Sequence, residues 1–180
     1  FDPRSQGERT YTTWYLYNDL NQLYRTVLPD ETPPANPYAA EITCDNLYTE
    51  TSYDENGNPV AQRDASGLKT AYTYTSRNQV ETVSVNGKLL ERYLYDHQGN
   101  IIERQSVTET EHVLDRIIRY KYDSLGQLRQ VNYPIGEERY DYDSVGNRIT
   151  VTDGRNNATS YRYNSLGWLM SITDPLFNTT

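Results

Sequence analysis

Cysteine is nearly missing from this 180-residue chain: Cys44 stands alone, so no disulfide can close within it. That excludes a disulfide-stapled scaffold, and a single thiol carries no signature of redox compartment. Phenylalanine and methionine are scarce, at two and one. Leu, Ile, Val and Phe together number 35, about 19% of the chain, just under the level at which a highly charged sequence is usually disordered. No apolar run approaches the roughly 20 residues that a membrane-crossing helix needs. The first residues, Phe1-Asp-Pro-Arg-Ser5, lack the charged and apolar regions of a signal peptide. Positive charge is also short, with 17 Lys and Arg against 25 Asp and Glu and a net charge of -8. A nucleic-acid binder would normally be basic.

Tyrosine fills the gap, with 18 copies. A mean hydropathy of -0.87 read alone points to a chain unable to bury enough surface to fold. Tyrosine changes that reading, because each ring can remove a large area from water if its hydroxyl finds a partner. Tyr and Thr also favour strands. The composition therefore predicts a tyrosine-built β protein.

The tyrosines recur. Seven segments share one pattern, beginning with Tyr15-Leu-Tyr17-Asn-Asp-Leu-Asn21, Tyr53-Asp-Glu-Asn-Gly57 and Tyr72-Thr-Tyr74-Thr-Ser-Arg-Asn78. The next two are Tyr93-Leu-Tyr95-Asp96-His-Gln-Gly99 and Tyr120-Lys-Tyr122-Asp123-Ser-Leu-Gly126. The last two are Tyr140-Asp-Tyr142-Asp143-Ser-Val-Gly146 and Tyr161-Arg-Tyr163-Asn-Ser-Leu-Gly167. Aligned on the second tyrosine, the steps are 36, 21, 21, 27, 20 and 21 residues. Such self-similarity marks a repeat architecture. The unit is about 21 residues, with insertions in the first and fourth steps.

Each part of the unit has a physical reason. Tyr-x-Tyr places two rings on one face of a strand. Asp/Asn-x-x-Gly reads as a turn whose first side chain caps it and whose glycine supplies a left-handed backbone. A type I turn followed by such a glycine is a common three-residue hairpin loop with a bulge. Asn21 and Asn78 stand where the glycine is missing, and asparagine is the next best residue there. A returning strand alternates apolar and polar residues, as in Gln127–Tyr133 and Asn147–Thr152. A second turn then leads to the next Tyr-x-Tyr: Asp64-Ala-Ser-Gly67, Asn86-Gly87 or Pro134-Ile-Gly136.

The prediction is an all-β chain of antiparallel hairpins side by side, about twelve to fourteen short strands. Tyr-x-Tyr pairs are expected to stack in rows, with the Asp/Asn-x-x-Gly turns along one edge. Residues 1–180 read as one repeat array. About 28–40, with four prolines, reads as a loop or covered edge, and about 104–118 as an extended insertion. Thr180 falls mid-unit without a cap, so the chain reads as a piece of something longer.

The run Tyr-x-Tyr-Asp-x-x-Gly-Asn/Gln-Leu resembles the YD repeat of the RHS family over roughly Tyr15 to Thr173. The resemblance implies a long sheet that spirals into a hollow β-shell around a C-terminal effector, usually a toxin, in a secreted or cell-surface, most often bacterial, protein. The implied partners are the remainder of the shell and the effector, with glycans or a cell-surface receptor as the alternative. The family's self-cleavage motif is not found. Thr173-Asp174-Pro175 has the wrong context for it.

Little else points to chemistry. His97 sits at an exposed turn position. His112 with Glu109 and Glu111 forms a solvated acidic stretch, and Asp141-Tyr-Asp143-Ser-Val-Gly146 lacks the distal Glu of a calcium loop. Cys44 has no partner, and no Gly-x-Ser-x-Gly elbow occurs. Asn157-Ala-Thr159 and Asn178-Thr-Thr180 match the glycosylation sequon. No enzyme activity, cofactor or metal is therefore expected. The tyrosine positions read as packing. Trp14 and Trp168 break the pattern, and Trp168, which replaces Asn or Gln after the turn glycine, is the aromatic best placed for a ligand.

Overall fold

The computed structural model describes residues 12–28, 36–38, 48–107 and 116–180. These residues form fourteen strands and no helix. The chain divides into two compact units, Phe1–Leu89 and Leu90–Thr180.

The first unit holds β1 (Trp14–Tyr17), β2 (Leu23–Val27), β3 (Tyr48–Tyr53), β4 (Pro59–Arg63), β5 (Lys69–Tyr74) and β6 (Val80–Val85). Each pairs antiparallel with its neighbours in chain order. The Asn86-Gly87 turn then leads into β7 (Lys88–Tyr95). Both its residues have positive φ, 48° and 81°, the backbone of a two-residue hairpin turn.

The second unit holds most of β7, then β8 (Ile101–Ser106), β9 (Arg116–Tyr122), β10 (Leu128–Asn132), β11 (Glu137–Tyr142), β12 (Arg148–Thr152), β13 (Ala158–Tyr163) and β14 (Leu169–Thr173). Pairing is again antiparallel and sequential. The expected insertion is shorter than its sequence bounds. β8 runs to Ser106 and β9 starts at Arg116, so the β-branched Ile117 and Ile118 belong to a strand.

The turn after the second tyrosine of each unit takes one form. In Asp123–Gln127 the Gly126 N–H donates to the Asp123 carbonyl at 3.0 Å, and the Asp123 N–H to the Gln127 carbonyl at 3.0 Å. The Asp123 carboxylate accepts the N–H groups of Leu125 and Gln127 at 2.9 Å. Gly126 has φ 77°, and Asn21 and Asn78 take the same backbone at 59° and 58°, the substitution that the turn chemistry predicts.

A second bulge follows the turn after the second tyrosine of each unit and has no sequence mark. Tyr122 faces Leu128 and Lys121 faces Gln130, so Arg129 is extra on the returning strand. The same slip follows Tyr17, Tyr53, Tyr74, Tyr95, Tyr142 and Tyr163. Such a bulge increases local twist.

Burial is thin. Among the described residues the fully buried apolar side chains are Leu16, Val27 and Val131. Strands β5 and β13 alternate half-buried and exposed, while the returning strands β6, β8 and β12 are half-buried at nearly every position.

After β14, Asp174–Asn178 repeats the five-residue turn, with Phe177 at φ 67° where glycine usually stands. Thr180 then exchanges two backbone hydrogen bonds with Ile172, at 2.9 and 3.0 Å. The last residues thus lie antiparallel to β14.

Candidate functional site

The tyrosines do not stack ring on ring across adjacent strands, as expected. Directly opposite Tyr72, Tyr120, Tyr140 and Tyr161 stand Val83, Val131, Val151 and Ile172. Rings from successive hairpins are therefore two strands apart, with a β-branched residue between them. Cross-strand aromatic–aliphatic pairs of this kind are favourable. Arg148 bridges one gap, its guanidinium 5.8 Å from the Tyr140 ring centre and 5.6 Å from that of Tyr161. Tyr93 is the exception, facing Arg104. It donates to Glu91, which also pairs with Arg104. Burial raises the Tyr93 hydroxyl, and the Glu91 carboxylate adds to that shift.

In five units the second tyrosine has a defined job. Its hydroxyl donates to the carbonyl of the first residue in the preceding hairpin's returning strand. Tyr53 reaches Leu23 at 2.8 Å, Tyr74 reaches Pro59 at 2.8 Å, and Tyr122 reaches Ile101 at 3.1 Å. Tyr142 reaches Leu128 at 2.9 Å and Tyr163 reaches Arg148 at 3.1 Å. These carbonyls lie past the end of the ladder between hairpins. The β10–β11 pairing, for example, stops at Gln130 and Arg139. The phenol takes the place of the missing backbone donor at these part-buried or exposed carbonyls. Burial raises the hydroxyls of Tyr74 and Tyr122 above the ordinary phenol value.

The turns also touch. Asn58 donates through Nδ2 to Asp54 in its own turn and to Asn78 in the next, both at 3.0 Å. The side chain of Gln127 lies 3.3 Å from the point where Gly146 would carry a Cβ, and that of Asn147 3.7 Å from the same point on Gly167. Gly57 and Gly99 hold the equivalent turn positions, with φ 84° and 94°. In these hairpins the residue after the turn glycine packs against the following turn. Trp168 occupies that position after Gly167 and is 68% exposed. Tyr15 and Tyr17, in the first hairpin, are also exposed.

The turn carboxylates are held low. Asp54, Asp96 and Asp143 are depressed chiefly by the Nδ2 donors of Asn58, Asn100 and Asn147. Asp123 is depressed first by the Gln127 N–H. Hydrogen bonds to the charged form favour it. The calcium-like run at Asp141–Gly146 is explained by this turn, since Asp143 spends both oxygens on Val145 and Asn147. The sequon asparagines have the same explanation: Asn157 and Asn178 donate through Nδ2 to Asp153 and Asp174 at 2.9 and 2.8 Å.

The face opposite the tyrosines carries a depression in the first unit. Ser52, Ala61, Ala71 and Ser84 form a row of short side chains across β3–β6. Beside it runs the row Glu50, Arg63 and Lys69. A groove of about 540 Å³ lies over Tyr48, Ser52, Ala61, Arg63, Lys69 and Ala71. Arg63 is pinned at its rim, 3.9 Å from the Tyr48 ring centre and bonded to the Tyr48 carbonyl at 3.0 Å.

Among the described residues no three His, Cys, Asp or Glu side chains stand together to hold a metal ion. His97 is an exposed turn residue. Cys44 and the His112, Glu109 and Glu111 trio lie outside the described residues.

Comparison with known proteins matches this geometry. The RHS Repeat family profile matches residues 53–89, 122–158 and 142–176, together just over half of the chain. The chain belongs to the RHS repeat family. It is 29% identical over 176 residues to human Teneurin-4 and 30% identical to Teneurin-3 of Danio rerio. Each match covers 84% of this chain and 6% of the relative, so the chain spans a small part of the proteins it matches. Among solved structures, the TcdB2-TccC3-Cdc42 crystal structure has the same fold, with TM-score 0.68 and 19% identity. A TcdB2-TccC3 structure without the hypervariable C-terminal region gives 0.68 and 20%. These matches cover 88% of this chain and 9% of the other.

Proposed function

We propose that the chain is one continuous array of repeats serving as a wall segment in a larger extracellular shell that encloses or presents a C-terminal effector. The observation that carries this reading is the direction of its bonding. The tyrosine hydroxyls and turn amides point to the neighbouring hairpin rather than into a pocket. A residue set spent on joining repeats builds a surface and leaves no catalytic constellation. The short match against much longer relatives fits a segment of a wall. The partners are then the flanking repeats and the enclosed effector, and the tyrosine and turn-glycine positions are structural.

Protease protection tests this. In the longest native chain containing this segment, the C-terminal effector should resist cleavage while the wall is folded. Replacing Tyr122, Tyr142 and Tyr163 with Phe should loosen the wall and expose the effector at lower denaturant. An effector cut at the same rate in both proteins would remove the enclosing role.

A second reading, a glycan- or cell-surface-binding module, draws on Trp168, an exposed ring where other units carry an amide. Loss of glycan-array signal on Trp168→Gln would support it, and an array blank for the parent chain would dismiss it.

A further inference from the structure

Arg63 and Lys69 stand directly opposite each other on β4 and β5. Like charges so placed destabilise a strand pair. In a chain with 25 Asp and Glu against 17 Lys and Arg, a carboxylate is the expected neighbour. Arg25, Arg119 and Arg139 each have one. Among the described residues no carboxylate pairs with Arg63 or Lys69. Glu50, opposite Arg63 on β3, is taken by Arg25 at 2.5 Å. Asp64, next in sequence, accepts the amides of Ser66 and Leu68 in its own turn. Both cations are nevertheless held in place. The Arg63 guanidinium lies over the Tyr48 ring, and its Nη1 donates to the Tyr48 carbonyl. These partners are uncharged, so they fix the cation without neutralising it. The Lys69 backbone N–H donates to Asn86 Oδ1 at 3.1 Å, which anchors that end of β5.

We propose that Arg63 and Lys69 form an anion site for a small phosphate monoester, whose remaining atoms lie in the groove over Ser52, Ala61 and Ala71. The charge selects the class. Two facing cations without a carboxylate call for two negative charges on one group. A carboxylate or a sulfate ester brings one. A phosphate monoester brings about 1.5 to 2 at pH 7, with three acceptor oxygens. A guanidinium edge can meet two of those oxygens, and the Lys69 ammonium adds a mobile point charge. The groove, about 540 Å³, falls within the roughly 300–1,000 Å³ of small-molecule sites. Its floor of short side chains leaves that space open, beside the cations rather than beneath them.

Calorimetric titration of the longest native chain containing this segment tests it, with glucose 6-phosphate, glucose 6-sulfate and glucose as probes. Glucose 6-phosphate should bind saturably and about tenfold or more tighter than the sulfate ester, the difference of one charge-assisted contact. Glucose should not bind. Lys69→Gln, at an exposed position, should weaken glucose 6-phosphate about tenfold. Arg63→Gln should weaken it further. Arg63 also braces Tyr48, so circular dichroism accompanies that variant, and Lys69→Gln decides the matter if Arg63→Gln fails to fold. Lys69→Glu should abolish binding and raise the unfolding midpoint of the ligand-free chain, because it relieves the facing charges. Ala71→Leu should weaken glucose 6-phosphate while leaving inorganic phosphate binding unchanged, because it fills the groove and spares the cations. No saturable binding of glucose 6-phosphate, equal binding of the sulfate ester, or an affinity unchanged in Lys69→Gln would each overturn the proposal.

Discussion

In the first hairpin the buried side chains lie opposite the tyrosines. Leu16 and Val27 are 3% and 0% exposed, while Tyr15 and Tyr17 face solvent. Arg25, 5% exposed, shares that buried face, paired with Glu50 at 2.5 Å and donating to the Pro37 carbonyl at 3.4 Å. In β11–β14 the arrangement is inverted. The tyrosines are half-buried, and the opposite face carries Arg139, Asp141, Ser160 and Arg162, all exposed. The same repeat thus yields a small conventional core at one place and a distributed set of hydroxyl bonds at another. A buried charge is tolerated when paired and hydrogen-bonded. The first hairpin meets that condition with Pro37 and Glu50.

The largest expected effect sharpens this contrast. Leu16→Ala should cost about 2–5 kcal/mol, the range for a buried leucine, whereas Leu169→Ala, half exposed, should cost under about 1 kcal/mol. Urea unfolding of both variants checks it. Similar losses would remove the distinction between core and distributed regions.

The next effect concerns the hydroxyls. Tyr142→Phe removes the donor to Leu128 and should cost about 1 kcal/mol. Tyr17→Phe, at the exposed first position of the series, should change stability by no more than a few tenths. Combined with Tyr163→Phe, the Tyr142→Phe loss should roughly add, since the two phenols bond different carbonyls.

The hairpins and their turns were legible in the sequence because both are local. Asp143 and Gly146 specify a turn whatever surrounds them, and Asn78 substitutes for glycine for a backbone reason. The hydroxyl bonds were not legible. Tyr163 and Arg148 lie fifteen residues apart, and nothing in the spacing says where an inter-hairpin ladder stops. The bulge at Arg129 was hidden because no residue type is obligatory there. The inverted burial at Leu16 depends on Pro37 meeting Arg25, a contact that a proline-rich stretch does not announce. The expectation of ring-on-ring tyrosine rows failed on register, because each hairpin inserts a returning strand between successive rings.

Acid should separate the turns by their first residue. Asp54, Asp64, Asp96, Asp123, Asp143, Asp153 and Asp174 all have carboxyls held below their ordinary value by hydrogen bonds. A depressed carboxyl contributes stability that is present above its unfolded pKa, about 3.9, and is lost as pH falls through the folded value. Below about pH 4 these turns should therefore loosen first. The turns opened by Asn18, Thr75 and Asn164 should not respond. Amide exchange at Gly126 and Gly146 against Gly167, followed from neutral to acid pH, reads the difference. Parallel acceleration at all three would contradict it.

Trp168→Gln is expected to have the smallest effect on stability. It restores the amide found at the same place in other units, and should leave the unfolding midpoint within about 0.5 kcal/mol of the parent.

The most direct test of the wall assignment is the particle image of the longest native chain carrying this segment. A closed, hollow particle with the segment in its wall and further density inside is the predicted result. A solid particle, or an open sheet with nothing enclosed, would contradict it.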